Sequence, residues 1–380
     1  MYSRRTLLTL GTAVVALSAV PFSGARAAEP IPVVATFSIL GDMVERIGGE
    51  HIVVTTLVGP DGDAHVYQPT PADARAVSDA DVLFVNGLEF EGWIDRLVDA
   101  SGFDGTRVVA TDGIEAIPFE DDDHAGEEEH GDDDHAEHGD DDHGHDDDHA
   151  EAKLADDDHD HDHDHGHAKA KHGDDDHAEH GDEDHAEHGD DDHADAGGHG
   201  HHHHGAFDPH AWQSLANGEI YAMNIAASLA AADPANADTY QANAAAYVAE
   251  MEALDAEIMA IVERLPDEAR TVVTSHDAFG YFAERYGLTF EAPQGLSTES
   301  EPSAADVAEM IVQIREEGIS AVFVETITDN RLLEQIAAET GASIGGTLYS
   351  DALSGPDGPA STYLDMMRHN ANTIAQALGS

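Results

Sequence analysis

Three histidines stand singly at the joints between predicted strands, loops and helices. His65 lies in Gly59-Pro60-Asp61-Gly62-Asp63-Ala64-His65-Val66-Tyr67, a loop directly after a predicted strand. His210 lies in Phe207-Asp208-Pro209-His210-Ala211-Trp212, just before a predicted helix. His276 lies in Thr274-Ser275-His276-Asp277, immediately after another strand. Each has an aromatic close in sequence: Tyr67, Trp212 and Phe279. Neutral imidazole is a preferred ligand of borderline divalent metals such as zinc. One such histidine reads equally well as a loop residue bonded to backbone. Three of them, split between two α/β halves, point to a shared site in the cleft, because ligands of parallel sheets bind beyond the carboxyl ends of the strands.

Structural zinc is held by four ligands in a closed tetrahedron. The best fourth candidate is Asp351, in Thr347-Leu348-Tyr349-Ser350-Asp351-Ala352-Leu353 after a short predicted strand. Glu325, at the end of Ala321-Val322-Phe323-Val324-Glu325, is the runner-up, better suited to an acceptor behind a ligand or a hinge contact. Asp208 and Asp277 adjoin ligand candidates and could orient an imidazole. His51, in a Gly-Glu-His turn, and His369, beside Arg368 and Asn370, read as surface residues.

The other 23 of the 28 histidines fall in one run, residues 120–204, made of Asp, Glu, His, Gly and Ala with few exceptions. Near-identical units recur: GDDDHAEH at 131–138 and 173–180, GDEDHAEH at 181–188, GDDDHADA at 189–196. The run carries 36 acidic residues and three lysines, a net charge of −33 out of −63. With Leu154 as its one large aliphatic it cannot bury enough apolar area to offset chain entropy, so disorder without metal is expected. Its density of imidazole, as in HDHDHDHGH at 159–167 and HGHHHH at 199–204, exceeds any need of solubility and fits weak, multiple metal capture. The acidity of the whole chain argues against nucleic acid and anionic membrane as partners.

Ser3-Arg4-Arg5-Thr6-Leu7-Leu8, an apolar stretch to Val20 and Ala25-Arg26-Ala27 read as a twin-arginine leader over residues 1–27, giving a periplasmic protein. There is no cysteine, so neither disulfide nor thiol lipidation is available.

These residues are positioned by alternating strands and helices. Strands are expected at 33–37, 52–58, 81–86 and 107–110, with helices at 39–47, from Thr70-Pro71 onward, and at 91–100. Helices follow at 215–232 and 234–265, the second roughly 45 Å long at 1.5 Å per residue. Strands at 271–274, 288–290, 319–324 and 343–348 then alternate with helices at 278–286, 304–317, 330–339 and about 359–378. The expected fold class is α/β: two lobes of parallel sheet flanked by helices, joined by a long rigid helix, with a disordered insertion in the first lobe. The expected boundaries are 28–233 for the first lobe (insertion 120–205), 234–266 for the linking helix and 267–380 for the second lobe.

The motifs Gly62-Asp63-Ala64-His65-Val66-Tyr67-Gln68-Pro69-Thr70-Pro71, Asp208-Pro209-His210-Ala211-Trp212, Ser275-His276-Asp277-Ala278-Phe279-Gly280-Tyr281-Phe282 and Ser297-Thr298-Glu299-Ser300-Glu301-Pro302-Ser303 resemble those of zinc ABC-transporter substrate-binding proteins of cluster A-I, the ZnuA-like family. Tyr349-Ser350-Asp351-Ala352-Leu353 fits less tightly. The resemblance runs from about residue 31 to the end. It implies one metal in an interlobe cleft, held by His65, His210, His276 and Asp351. Manganese-binding relatives typically carry Glu at the position of His276, so His276 implies Zn2+. Family members often carry a His-rich insertion at this place, although this one is longer and more acidic. The segment after His210 also lacks the usual Pro. The implied partners are a membrane ABC permease and a periplasmic zinc chaperone, with the protein a monomer.

Four protein ligands leave no open position for an activated water, so binding rather than catalysis is expected. A zinc hydrolase using Asp277 or Glu325 as base lacks an HExxH pair. A metal-buffering protein whose active part is the run, and a manganese-binding relative, are the alternatives. Ligand histidines must be deprotonated, so affinity is expected to fall below about pH 6.5.

Overall fold

Four segments of the first half form parallel strands. They are β1 (Ile31–Phe37), β2 (Ile52–Val58), β3 (Val82–Val85) and β4 (Thr106–Val109), in the order β2-β1-β3-β4. Val33 to Phe37 and all of β3 are buried, as expected of strands covered on both faces. A computed structural model of the chain describes residues 29–119, 206–266 and 269–379. The expected leader (1–27) and the histidine-rich insertion (120–205) lie outside the described residues.

Helix α1 (Ser38–Gly48) follows β1, and α2 (Pro71–Ser78) starts where Thr70-Pro71 predicts. Thr70 and Asp73 close a reciprocal capping box there, satisfying amides the helix itself leaves unpaired. Helix α3 (Ile94–Ser101) begins three residues later than the periodicity predicts. Gly87, Leu88 and Glu89 all have positive φ, which turns the chain and sends Glu91 inward instead of into a first helical turn.

Helices α4 (Leu215–Ala232) and α5 (Ala237–Val262) follow. At 26 residues α5 is about 39 Å long, shorter than expected. Its expected start, Pro234–Asn236, is a tighter 3-10 turn, with Asp233 accepting from the Asn236 and Tyr240 side chains. Its apolar stripe of Tyr247, Met251, Leu254, Ile258 and Ile261 is buried.

The second half repeats the plan. Strands β5 (Thr271–Val273), β6 (Thr289–Glu291), β7 (Ala321–Glu325) and β8 (Ser343–Leu348) run parallel in the order β6-β5-β7-β8. Helices α6 (Gly280–Tyr286), α7 (Ala304–Glu317), α8 (Arg331–Thr340) and α9 (Tyr363–Leu378) accompany them. Helix α9 starts at Tyr363 rather than near Pro359, because Thr362 caps it by accepting from the Asp365 amide.

The fold is therefore α/β with two lobes. In each sheet the chain order reverses at one inner strand, β1 or β5, and a crevice opens beyond the carboxyl ends. Helix α5 packs on α1 and α4 of the first lobe and on α6 and α9 of the second. One apolar core runs through both lobes, and a second cluster fills the outer face of the second sheet. No helix among the described residues is long and apolar enough to cross a membrane.

Candidate metal centre

The loops beyond the strand ends bring His65, His210, His276 and Asp351 together. One ligand atom from each lies within 4.8 Å of all the others. His65 Nε2 is 3.1 Å and His276 Nε2 3.2 Å from Asp351 Oδ2. His210 Nε2 is 3.4 Å from His65 Nε2 and 3.7 Å from Asp351 Oδ1. The edge of a tetrahedron around zinc is about 3.3 Å for metal–ligand bonds near 2.0–2.1 Å, so the four atoms already stand near ligating spacing.

Local chemistry fixes each ligand. His65 and His210 share an Asp-x-His arrangement in which the aspartate accepts from the histidine's own amide, at 2.9 Å in both cases. Asp208 Oδ1 also lies 2.8 Å from His210 Nδ1, while Asp63 Oδ2 instead accepts from Thr298 Oγ1 of the second lobe at 2.6 Å. His276 follows β5, and Glu325 Oε1 accepts its amide at 3.0 Å and the Ser275 amide at 2.7 Å. Glu325 Oε2 makes a 2.8 Å ion-pair contact with His276 Nδ1. Asp351 sits three residues beyond β8, and the carbonyl before it, Ser350 O, accepts from Trp212 Nε1 at 2.9 Å and Gln213 Nε2 at 2.8 Å.

Carboxylates thus stand behind two of the three rings. Asp208 does so for His210 through a hydrogen bond that fixes tautomer and direction, and Glu325 for His276 through an ion-pair contact, neither Nδ1 nor Oε2 having a hydrogen-bond partner. Asp277, adjacent to His276, does not: its amide bonds to Gln294 O, and burial and then Asp208 push its carboxyl up. Burial alone would lower His276, but the Glu325 and Asp351 carboxylates raise it well above the ordinary imidazole value. Burial alone would raise Asp351, but His276 and His210 hold it well below the usual carboxylate range. Asp351 Oδ1 is buried without a hydrogen-bond partner. An unsatisfied buried carboxylate oxygen is costly, and a cation among the four groups would satisfy it.

His65 differs from the other ligand candidates. It is 7% exposed against 0% for His210, His276 and Asp351, and it borders a cavity of about 1210 Å³ that also reaches Leu88, Phe207 and Ser297. The non-glycine residues with positive φ among the described residues are Asp61, Leu88 and Glu89. All lie on the loops after β2 and β3, and strained backbone of this kind concentrates at ligand clamps.

Sequence reasoning named Trp212 beside His210 but overlooked the rest of the wall behind the rings. Phe90 stands edge-on to His65 at 4.8 Å, and Trp212 packs on Phe90 at 4.8 Å and on His210 at 5.4 Å. Glu91, only 3% exposed, holds this wall by accepting from Thr36 Oγ1 and from the Asn86 and Gly87 amides. Burial raises its carboxyl against those bonds. Asn86 Nδ2 in turn donates to Pro209 O at 2.8 Å, next to His210. The Asn86-Gly87 pair after a strand is a turn signal that could have located this loop.

The remaining histidines lie elsewhere. His51 occupies a 3-10 turn, its ring edge-on to Tyr240 at 6.1 Å. His369 is not the solvated residue expected: it is half-buried, its Nε2 is 3.0 Å from Thr347 O, and its ring lies against Tyr349. Helix α9 packs on β8, which turns that face inward.

The family model described as zinc-uptake complex component A, periplasmic, matches residues 33–377. The manganese-binding lipoprotein MntA of Halalkalibacterium halodurans is 29% identical over 351 residues, covering 92% of this chain and 89% of its own. The iron-binding protein YfeA of Yersinia pestis is 29% identical over 352 residues, covering 93% and 88%. Among solved structures, the periplasmic zinc binding protein TroA of Treponema pallidum matches with a TM-score of 0.68 over 92% of this chain and 99% of its own. At 23% identity that likeness concerns the fold alone.

Proposed function

The chain belongs to the ZnuA family of periplasmic metal-binding components of ABC transporters, and on that premise we propose that it captures Zn2+ in the interlobe cleft and delivers it to a membrane permease. The observation that carries this reading is the convergence of His65, His210, His276 and Asp351, with one ligand atom from each within 4.8 Å of all the others. The named relatives include manganese- and iron-binding proteins. The donor set favours zinc here, because three imidazoles and one carboxylate suit it, whereas manganese prefers more oxygen. Four protein ligands close the shell, so the site binds and does not catalyse. Metal competition at equal buffered free Zn2+ and Mn2+, read by elemental analysis, tests the reading. Zinc should fill the site, and preferential manganese would overturn the assignment.

Release requires the lobes to part. Several hydrogen bonds between ligand loops oppose this: Asp61 N to Leu353 O, Leu353 N to Ser38 Oγ, Thr298 to Asp63, and Trp212 and Gln213 to Ser350. With α5 packed on both lobes, the motion is a small tilt and not a wide opening.

The run at 120–204 is read as an auxiliary that raises zinc near the cleft by effective concentration. Deleting residues 121–204 should leave one tight site in a zinc titration and remove the weaker ones. Loss of the tight site would favour the storage alternative.

The pH dependence should extend above the value expected from free imidazole. In the metal-free protein a raised His276 stabilises the fold fully below about pH 6.5 and loses that contribution as pH climbs through its folded value. A depressed Asp351 contributes above about pH 4 and loses it as pH falls through its own. Zinc must evict the His276 proton, so binding at pH 7.5 should release protons and tighten further with rising pH. Calorimetry in buffers of different ionisation enthalpy measures this. Buffer-independent heats at pH 7.5 would contradict it.

A further inference from the structure

His210 is attached to the molecule through an unusual joint. Residues 206–208 pair antiparallel with 117–119: Pro118 bridges Phe207, Phe119 N donates to Ala206 O at 3.0 Å, and Asp208 N donates to Ile117 O at 2.9 Å. Tyr281, on α6 of the second lobe and 2% exposed, reaches this joint. Its hydroxyl donates to Asp208 O at 2.9 Å and accepts from Ile117 N at 3.1 Å. Burial pushes that hydroxyl up to about 12, so it stays protonated and performs both tasks. The residue before it closes in on the same aspartate: a Cβ at Gly280 would lie 2.5 Å from Asp208 Oδ2. The other oxygen, Asp208 Oδ1, is the one on His210 Nδ1.

We propose that Tyr281 is a positioning residue for His210, pinning the backbone of residues 206–208, and through it the Asp208 carboxylate, from the opposite lobe. The inference rests on the zinc-capture reading and extends it to the manner of release. A plain hinge would leave His65 and His210 intact on the first lobe, and a cation would remain on that half-site after opening. The pin changes this outcome. Separation that withdraws His276 and Asp351 also breaks the Tyr281 bonds and leaves residues 206–208 held by their first-lobe bonds alone, so His210 slackens in the same movement. Release is thereby concerted across both lobes.

The test compares the full chain with its Tyr281→Phe and Gly280→Ala variants. Zinc dissociation is followed against a competing chelator, and Co2+ serves as a spectroscopic probe of the tight site. Tyr281→Phe removes both bonds and should weaken zinc about tenfold, at the low end for an outer partner of a ligand, chiefly through faster dissociation. Gly280→Ala displaces Asp208 without touching the hydroxyl and should act in the same direction. Both should alter the d–d absorption of bound Co2+, a readout that general destabilisation of the fold does not move. Wild-type dissociation and Co2+ spectra in either folded variant would overturn the proposal. Because Gly280→Ala keeps Tyr281, it decides the matter if Tyr281→Phe fails to fold. A wild-type chain without a tight zinc or cobalt site would overturn the capture reading itself, which separates the two failures.

Discussion

Replacing His276 with alanine is expected to weaken zinc binding by about 100- to 1,000-fold, taking a quarter of the 10–16 kcal/mol typical of a four-ligand zinc site at 1.4 kcal/mol per tenfold. The loss should not stop at the metal. His276 is buried between Glu325 and Asp351, so its removal leaves two buried carboxylates without their cationic partner. Breaking a buried pair in this way costs about 3–5 kcal/mol, and the metal-free variant should melt earlier than the metal-free wild type. His65→Ala should be milder, about 10- to 100-fold, comparable to loss of an outer partner. Among the described residues no carboxylate stands behind His65, and a water from the adjoining cavity has room to replace it. Competition titrations with chelators of graded affinity give both values. Equal losses for the two variants would show that burial and carboxylate backing do not rank these ligands.

Removing zinc from the wild type should lower the melting temperature on the order of 10 °C. At free zinc 1,000-fold above the dissociation constant, binding to the folded state contributes about 4 kcal/mol, and about 2–4 °C accompanies each kcal/mol in a domain of this size class. The secondary structure should survive that removal. The ligand loops are already tied across the lobes by Trp212, Gln213, Ser38 and Asp61. Calorimetric scans with and without chelator, beside circular dichroism at 25 °C, separate the two effects. A melting temperature indifferent to zinc, or helix lost on chelation at 25 °C, contradicts the preformed site.

Much of the fold was legible because its signals are local. Alternating apolar runs and caps marked β2, α4, α7 and β8 to the residue, and Thr70-Pro71 marked the start of α2. The misplacements have local causes of another kind. Helix α3 starts late because the 87–89 turn uses positive φ at Leu88 and Glu89, which nothing in those residue types announces. Helix α5 is shorter because Pro234–Asn236 tightens into a 3-10 turn at one end and the chain turns out of the helix after Val262, with Arg264 and Leu265 bonding three residues back, at the other. His369 is sheltered because α9 lies on β8, a contact between elements that no periodicity reports.

The four residues proposed to hold the metal were likewise legible one by one, from type and from position at the ends of α/β elements. Asp208 was legible beside His210, whereas Asp63, which reaches the His65 amide in the same way, was not singled out. What stands behind the rings was legible in part: Asp208 and Glu325 were both candidates, but not the ring that Glu325 would serve. Asp277 neighbours His276 in sequence, yet Glu325, 49 residues distant, takes the position at its ring. The register explains it: β5 pairs with β7 at Val273 and Val322, so three residues on from each, His276 and Glu325 arrive side by side. Phe90, Glu91 and Tyr281 gain their roles in the same way, through strand order and interlobe packing. The sequence by itself determined which donors exist and that each would sit at the end of an element, because backbone preference and hydrophobic period act over a few residues. Only the tertiary structure decided which donors meet and that Glu325, not Asp277, stands at the His276 ring, because those pairings depend on the register of whole sheets.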